Sequence, residues 1–147
     1  MISELAYSNI ISECANKSQK ELICSLAPKL HEIEFEYGAE TLQTIIGAYL
    51  LNFQKLLNIK EENKLDSYQI SVLTMDIMSR CRGLTYAELA MMFKRFLSGE
   101  FGHFYGQIDM MVIGEWIREF MSKRGEIICQ DNEVRKFILK RDQNYEE

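Results

Sequence analysis

The chain has 147 residues, of which 47% are hydrophobic and 27% charged, and this ordinary globular composition excludes intrinsic disorder. The formal net charge of −5 argues against a simple nucleic-acid coat. The N-terminal sequence MISELAYSNIISE lacks the features of a secretory signal, and no run approaches the roughly 18 apolar residues of a membrane span. We therefore expect a cytoplasmic protein that does not act at a membrane.

The chain begins with two predicted helical segments. Residues 2–15 predict a weak first helix from apolar residues at mixed three- and four-residue spacing. Ser18 and Glu21 form a capping-box pattern that opens a second helix, which Pro28 should kink or break because proline lacks an amide donor. Residues 32–37 alternate acidic with apolar side chains, as a half-buried strand does. Because no second strand is evident to pair with it, we expect helix there.

Five further helices are predicted along the rest of the chain, and the middle ones carry the widest apolar stripes. Their expected ranges are 40–57, 67–82, 86–98, 110–124 and 126–142. Asp66 with Gln69 and Thr85 with Glu88 repeat the capping-box pattern, in which side chains satisfy the free amides of the first turn. Asp109 is the expected N-cap of the helix that follows it.

Glycines and one charged stretch are expected to separate these helices. Gly38 and Gly99 end the helices that precede them, Gly83 should supply a left-handed stop, and Gly125 should permit a turn. The stretch NIKEENKL, residues 58–65, is the best candidate for a linker because it is charged and lacks an apolar stripe.

Together these elements predict an all-α fold. We expect a single-domain bundle of six or seven helices that spans residues 1–147. Residues 40–124 should form its core, and the helices of residues 1–37 should pack across it. Residues 143–147 are polar, and we expect this tail to fray.

The residues that commonly carry chemistry show no catalytic or metal-binding pattern. Cysteines at positions 14, 24, 81 and 129 form no C-x-x-C pair and lie in apolar contexts, which favours reduced, buried thiols in a reducing compartment. The only histidines, His31 and His103, lie in no recognisable motif. We interpret the acidic run Glu32, Glu34 and Glu36 as a solvated surface. We therefore expect no catalytic residue, no bound metal and no cofactor, although an enzyme that uses His103 stays open as an alternative.

Charge is divided unevenly along the chain. Residues 1–79 contain 6 Lys or Arg and 11 Asp or Glu, a net charge of −5. Residues 80–141 contain 11 and 8, a net charge of +3, and residues 142–147 add −3. The basic second half could meet an acidic partner or a phosphate backbone, or it could simply be the solvated side of its helices.

One segment, GEFGHFYGQID at residues 99–109, is unlike the rest, and we call it the glycine-aromatic loop. Three glycines alternate with three aromatic residues, so the backbone can bend freely. Its apolar rings must either be buried or serve as a contact surface. The rings could plug one end of the bundle, or they could form a platform for a base or a partner side chain. The candidate binding residues are Phe101, His103, Phe104, Tyr105 and the basic residues Lys94, Arg95 and Arg118.

The loop and its neighbouring helices also follow a recognisable pattern. It reads G-x-F-G-x-F-Y-x-x-I-D from Gly99 to Asp109, and the helix after it carries Trp116 and ends in Lys123-Arg124. The stretch from Leu84 to Arg124 resembles small uncharacterised all-helical proteins of phages and mobile elements of gut bacteria. That setting implies an accessory role in DNA replication or helicase loading, and the resemblance covers under a third of the chain.

From the sequence we therefore expect a non-enzymatic accessory protein. It would act through the glycine-aromatic loop and the basic C-terminal helices, on a protein partner or on nucleic acid in a replication setting. The alternative is a structural or oligomerising helical module without a nucleic-acid role. In that case the loop rings would be buried and the helix that carries Arg135 to Arg141 would pair with another subunit.

Overall fold

The structure, a computed structural model, describes residues 17–104 and 106–146, with side chains up to Gln143. Within these residues it is an all-α single domain with no strand. The predicted helix 2–15 and Tyr105 lie outside the described residues. The α-helices are α1 (Gln19–Ile23), α2 (Leu30–Tyr37), α3 (Ala39–Leu56), α4 (Ser67–Arg80), α5 (Tyr86–Leu97), α6 (Met110–Gln130) and α7 (Asn132–Glu146).

Most of the predicted helix starts are confirmed by their caps. Asp66 accepts a hydrogen bond from the Gln69 amide at 2.8 Å, and the Gln69 side chain accepts one from the Asp66 amide at 2.9 Å. Thr85 and Glu88 form the same reciprocal pair at the start of α5. At α1 the Ser18 hydroxyl accepts from the Glu21 amide, but the reciprocal bond of the predicted box is not among the described hydrogen bonds.

The segment around Pro28 is a break rather than a kink. The chain leaves α1 after Ile23 and starts α2 only at Leu30, whose amide donates to the Leu84 carbonyl at 2.9 Å. The Pro28 carbonyl accepts from the Tyr86 amide at 2.8 Å. These two bonds fasten the α1–α2 connection to the α4–α5 turn. Residues 32–37 are helical, as expected.

Two of the predicted glycine stops are wrong. Gly83 does not adopt a positive φ, because the turn after α4 is closed by a hydrogen bond from the Leu84 amide to the Cys81 carbonyl at 3.0 Å, which needs no left-handed residue. Gly125 lies inside α6, which runs on to Gln130. The true boundary is Asp131, whose carboxylate accepts from the amides of the first turn of α7 at 3.0 and 3.2 Å.

The core lies between α3, α4, α5 and α6, where α3 packs against α4 and α5, and α6 packs against α4 and α5. Aromatic rings connect these helices: Tyr49 of α3 stacks on Phe93 of α5 with centroids 5.2 Å apart, and Phe53 meets Phe93 edge-on at 6.0 Å. α2 packs on α3, α1 on α5, and α7 on α6. Within the described part of the chain, no helix is both long and apolar enough to cross a membrane.

Candidate binding cleft beside the glycine-aromatic loop

The glycine-aromatic loop follows α5 and takes a path that only glycines accommodate easily. Gly99, Gly102 and Gly106 have φ values of +80°, +141° and +87°. The loop also folds closely upon itself and upon α6. A Cβ atom on Gly99 would lie 2.8 Å from His103 Cε1, and one on Gly102 would lie 3.4 Å from the Trp116 ring. The glycines therefore permit both the turns and the close contacts.

The two loop rings that the structure describes, Phe101 and Phe104, turn back toward the bundle. Phe101 meets Phe96 edge-on with ring centroids 5.7 Å apart. Phe104 lies against Trp116, with centroids 4.7 Å apart, and also reaches Phe53 at 6.2 Å. Both rings are half-buried, so they contribute to the end of the core while keeping part of their surface open. These contacts tie α5 to α6.

The opposite wall comes from the turn after α3, which the sequence presented only as a linker. Asn58 has a φ of +55°, the left-handed conformation in which asparagine often follows a helix end. The buried Gln54 side chain accepts a hydrogen bond from the Leu65 amide at 2.6 Å, and the Gln54 carbonyl accepts one from Ile59. These bonds hold residues 57–65 against α3.

Between the two walls lies a cleft of about 170 Å³, which we call the aromatic cleft. Of the predicted site residues that the structure describes, only His103 and Phe104 line it. Sequence reasoning missed the other lining side chains, which are Leu57, Asn58, Ile59, Phe96, Leu97 and Trp116. The available signal was Asn58, two residues after the end of α3, because an asparagine at this place predicts a fixed turn rather than a loose linker.

The predicted basic residues do not join this cleft. Arg95 donates to the Gln19 side chain at 2.8 Å, lies 3.6 Å from the Glu100 carboxylate and stands 5.8 Å from the centre of the Phe120 ring. Lys94 is half-buried in the last turn of α5, and Arg118 is exposed on α6. The surface around Arg118 includes Glu115, Glu119 and Glu126. The loop and these cations therefore do not form one site.

Lys123, two turns beyond Trp116 on α6, lies against one of the loop rings. Its Nζ lies 5.0 Å from the Phe101 ring centre and 3.3 Å from the Glu100 carboxylate. Phe101 therefore contacts a cation, while Phe104 contributes to the aromatic cleft.

Ion pairs with the α1–α2 segment hold α7 in place. Arg141 lies 3.1 Å from the Glu32 carboxylate and also donates to the Ala27 carbonyl at 2.8 Å. Asp142 accepts from Lys29 at 2.6 Å, and Asp131 lies 2.7 Å from Lys20. The hydrogen bond from Lys20 lowers the pKa of the Asp131 carboxyl. Val134 is the fully buried apolar residue of α7. By contrast, Arg135, Lys136 and Lys140 are exposed.

The remaining reactive groups are dispersed. Within residues 17–104 and 106–146, no three His, Cys, Asp or Glu side chains are grouped so that they could hold a metal ion. Cys24, Cys81 and Cys129 are free thiols on separate helices or their caps. Cys81 is buried as expected, but Cys24 is only partly buried and Cys129 is exposed, so the expectation of buried thiols is wrong for Cys129. Burial raises the pKa of the Cys81 thiol to about 12, so this thiol stays protonated at neutral pH.

Three comparisons with known proteins found no relative of this chain. No protein-family model matches the chain. No curated protein and no solved structure matches it either.

Proposed function

We propose that this protein is a non-enzymatic accessory protein that binds a protein partner by taking one aromatic side chain into the aromatic cleft. The observation that carries the proposal is the cleft itself, a small concave site between two fixed turns and lined by rings. Its position gives the glycine-aromatic loop a role in addition to closing the bundle.

The size of the cleft favours a single side chain. A cavity of about 150 Å³ holds a benzene-sized molecule, and pockets for whole small ligands are usually about 300–1,000 Å³. At about 170 Å³ the cleft fits one aromatic ring. The rings of Phe96, Phe104 and Trp116 line it, and aromatic pairs prefer offset or edge-on contacts.

The charge of the lining favours a peptide over a nucleotide. Among the described residues no lysine or arginine lines the cleft, and the polar side-chain groups that line it are those of Asn58 and His103 and the indole N–H of Trp116. A phosphate attached to a bound base would meet no lysine or arginine among these residues, whereas a peptide backbone needs only neutral hydrogen-bonding groups.

Peptide selection tests this proposal, with Trp116 as the reporter because it is the only tryptophan and lines the cleft. Random peptides displayed on phage would be selected on the full chain, and the enriched peptides titrated while Trp116 fluorescence is recorded. We expect a shared aromatic residue in these peptides. We also expect about tenfold weaker binding to the variant that combines Asn58→Gly with His103→Ala, since truncating a residue that contacts a buried ring commonly costs this much.

The matched control is Gln107→Ala, an exposed residue of the same loop that does not line the cleft. It should bind the peptides as the natural chain does. Peptides that bind the double variant undiminished, or that share no aromatic residue, would contradict the proposal.

A second candidate function, nucleic-acid binding, is favoured by one observation. Arg135, Lys136 and Lys140 are exposed along α7, and no ion pair to them is found among the described residues. If they contact phosphates, DNA binding should weaken steeply as salt is raised and should fall with Lys136→Glu and Lys140→Glu. No binding at low salt would exclude this function. The proposal of a DNA-replication role and a mobile-element origin rests on the sequence resemblance alone.

A cytoplasmic location is likewise a proposal. It is supported by the free thiols Cys24, Cys81 and Cys129, which suit a reducing compartment. Following a fluorescent fusion of the full chain in its native cell would test it, and a signal at the envelope would contradict it.

A further inference from the structure

Helices α3 and α4 pack side by side and lack charge over most of their length. Residues 41–54 of α3 and 67–75 of α4 contain no lysine, arginine, aspartate or glutamate, although charged residues make up 27% of the chain. Part of this stretch faces solvent, and its exposed side chains are Thr41, Thr44, Leu51, Ser67, Tyr68, Ser71, Val72 and Met75. An exposed surface without charge is typical of the central part of a protein interface.

The Gly47 groove, a recess of about 190 Å³ between the two helices, lies on this surface. Gly47 contributes no side chain, and a Cβ at this position would point into open space. Gln43 Nε2 lies 3.4 Å from Met75 Sδ and bridges α3 to α4. Both helices therefore turn residues toward one shared recess, whose lining is Gln43, Gly47, Ile70, Ser71, Thr74 and Met75.

Two exposed side chains stand one helical turn from residues that line the groove. Leu51 follows Gly47 by four positions and is 56% exposed. Tyr68 precedes Ser71 by three positions and is 78% exposed. Residues three or four positions apart lie on the same side of a helix, so both side chains are on the side that opens into the groove. We call Leu51 and Tyr68 the ridge.

The pairing of α3 with α4 brings the two residues of the ridge to the same level. The helices run antiparallel: Gln43 contacts Met75 near one end of the pair, and the Gln54 side chain accepts a hydrogen bond from the Leu65 amide at 2.6 Å near the other. Counting along each helix from these contacts places the ridge residues opposite each other. One face therefore carries an exposed ridge and, one turn further along, a recess.

We propose that this face binds a second copy of this chain, with the ridge of each copy in the Gly47 groove of the other. A two-fold axis that lies in the plane of the face, across the helices and midway between ridge and groove, brings each ridge onto the other copy's groove. The result is a closed dimer with two identical contacts. The face does not include the aromatic cleft, so the dimer stands independently of the function proposed above.

Charge favours a second copy over a charged partner. The chain has a net charge of −5, so two copies tend to repel each other, but not through surfaces that are both neutral. A phosphate or a charged peptide would find no ionic contact on the two uncharged ranges. The charged residues nearest to these ranges in the chain lie just beyond their ends and are Glu40, Lys55, Asp66 and Asp76.

The dimensions of the face fit a weak dimer. A cavity of about 150 Å³ holds a benzene-sized molecule, so the Gly47 groove has room for the Tyr68 ring. The Ser71 and Thr74 hydroxyls on its wall can accept the phenol hydrogen. At about 1.5 Å per residue the face is about 20 Å long, and two helices are about 20 Å wide, so a dimer buries roughly 800 Å² in total. That area is at the low end of specific interfaces, so the dimer should form only at high concentration.

Sedimentation of the full chain tests the dimer with two variants, Tyr68→Ala and Gly47→Leu. The first shortens the ridge and the second fills the groove. Each should dimerise roughly a hundredfold more weakly, because it alters both contacts and losing one such contact commonly costs about tenfold. Their equimolar mixture should dimerise about tenfold better than either variant alone, since Tyr68 of one variant can still enter the unaltered groove of the other.

The matched controls are Tyr37→Ala, at an exposed tyrosine of α2, and Gly125→Leu, at a glycine inside α6 whose Cβ would also point into open space. Both should dimerise as the natural chain does, and circular dichroism should show all four variants folded.

Three results would overturn the proposal. The first is a natural chain that stays monomeric at about 1 mM, which would leave this face to a different protein. The second is a mixture of the two variants that dimerises no better than each alone. The third is a dimer that dissociates as salt is raised, since a contact between uncharged surfaces is not weakened by screening.

Discussion

Replacing Arg124 with methionine would test the buried ion pair that joins α6 to the start of α5. The Arg124 Nε donates to the Glu88 carboxylate at 2.6 Å, and its Nη2 donates to the same carboxylate and to the Gly83 carbonyl. The Glu88 side chain is fully buried, whereas 14% of the Arg124 side chain is exposed. Methionine keeps the apolar stem of arginine but removes every one of these donors.

The expected loss in the free energy of unfolding follows from the buried charge of Glu88, which is left without its partner. Without Arg124, the one hydrogen bond that the described residues still donate to the Glu88 carboxylate is that from the Thr85 amide at 3.2 Å. Breaking a buried pair from one side commonly costs about 3–5 kcal/mol, and we expect about 3 kcal/mol because the site opens slightly to water. With a urea dependence of about 2 kcal/mol per molar, the unfolding midpoint should fall by about 1.5 M.

Urea unfolding followed by circular dichroism measures this loss, and Arg118→Met is the matched control. Arg118 lies on the same helix and is exposed, so its replacement should change the free energy of unfolding by less than about 0.5 kcal/mol. The decisive variant adds Glu88→Gln to Arg124→Met. A neutral amide at position 88 still accepts the Thr85 bond, so the double variant should be more stable than Arg124→Met alone.

The reasoning would be refuted by either of two results. One is a loss from Arg124→Met no larger than that from Arg118→Met, which would mean that the pair contributes no more than a surface contact. The other is a double variant no more stable than Arg124→Met alone, which would trace the loss to packing rather than to an unpaired carboxylate.

Three further predictions concern two glycines and one buried thiol. Gly125→Ala should raise the free energy of unfolding by about 1 kcal/mol, because the residue is inside α6 with open space around it. Gly99→Ala should lower the free energy of unfolding by about 1–3 kcal/mol, because φ is +80° and the new Cβ would meet His103. If urea unfolding shows the same change for Gly125→Ala and Gly99→Ala, these predictions are wrong. The pKa of Cys81, about 12 when folded, exceeds its ordinary value of 9.0. Stability should therefore fall above pH 9 more steeply in the natural chain than in Cys81→Ala, and parallel pH profiles would disprove this.

The helices were predictable where local chemistry decides them. Asp66 and Thr85 start helices in both the sequence pattern and the structure, because a cap needs only the amides of its own first turn. Gly125 was misjudged because glycine permits a turn without requiring one, and the neighbouring residues continue the hydrogen-bonding pattern of α6. The overlooked signal was Asp131, an N-cap as good as those that were recognised.

The candidate site was only half predictable. Position in sequence suggested that Lys94, Arg95 and Arg118 accompany the loop, but helix direction sends Arg95 toward Gln19 and Arg118 toward solvent. The wall formed by residues 57–59 could not be found by inspection of the loop, since it comes from a turn some 45 residues earlier. Contacts between residues distant in the chain depend on how the helices pack. An apolar stripe predicts which face of a helix is buried but not which other helix it packs against.

The bonds between α7 and the first described helices have a consequence for synthesis on the ribosome. Glu32 pairs with Arg141, and Lys29 pairs with Asp142. Residues that are synthesised early therefore pair with residues synthesised more than a hundred positions later. At about 5–20 residues per second, the wait is roughly 5 to 20 s. During that interval the α1–α2 segment lacks the residues with which it forms ion pairs. Chaperones that bind nascent chains would therefore have access to it.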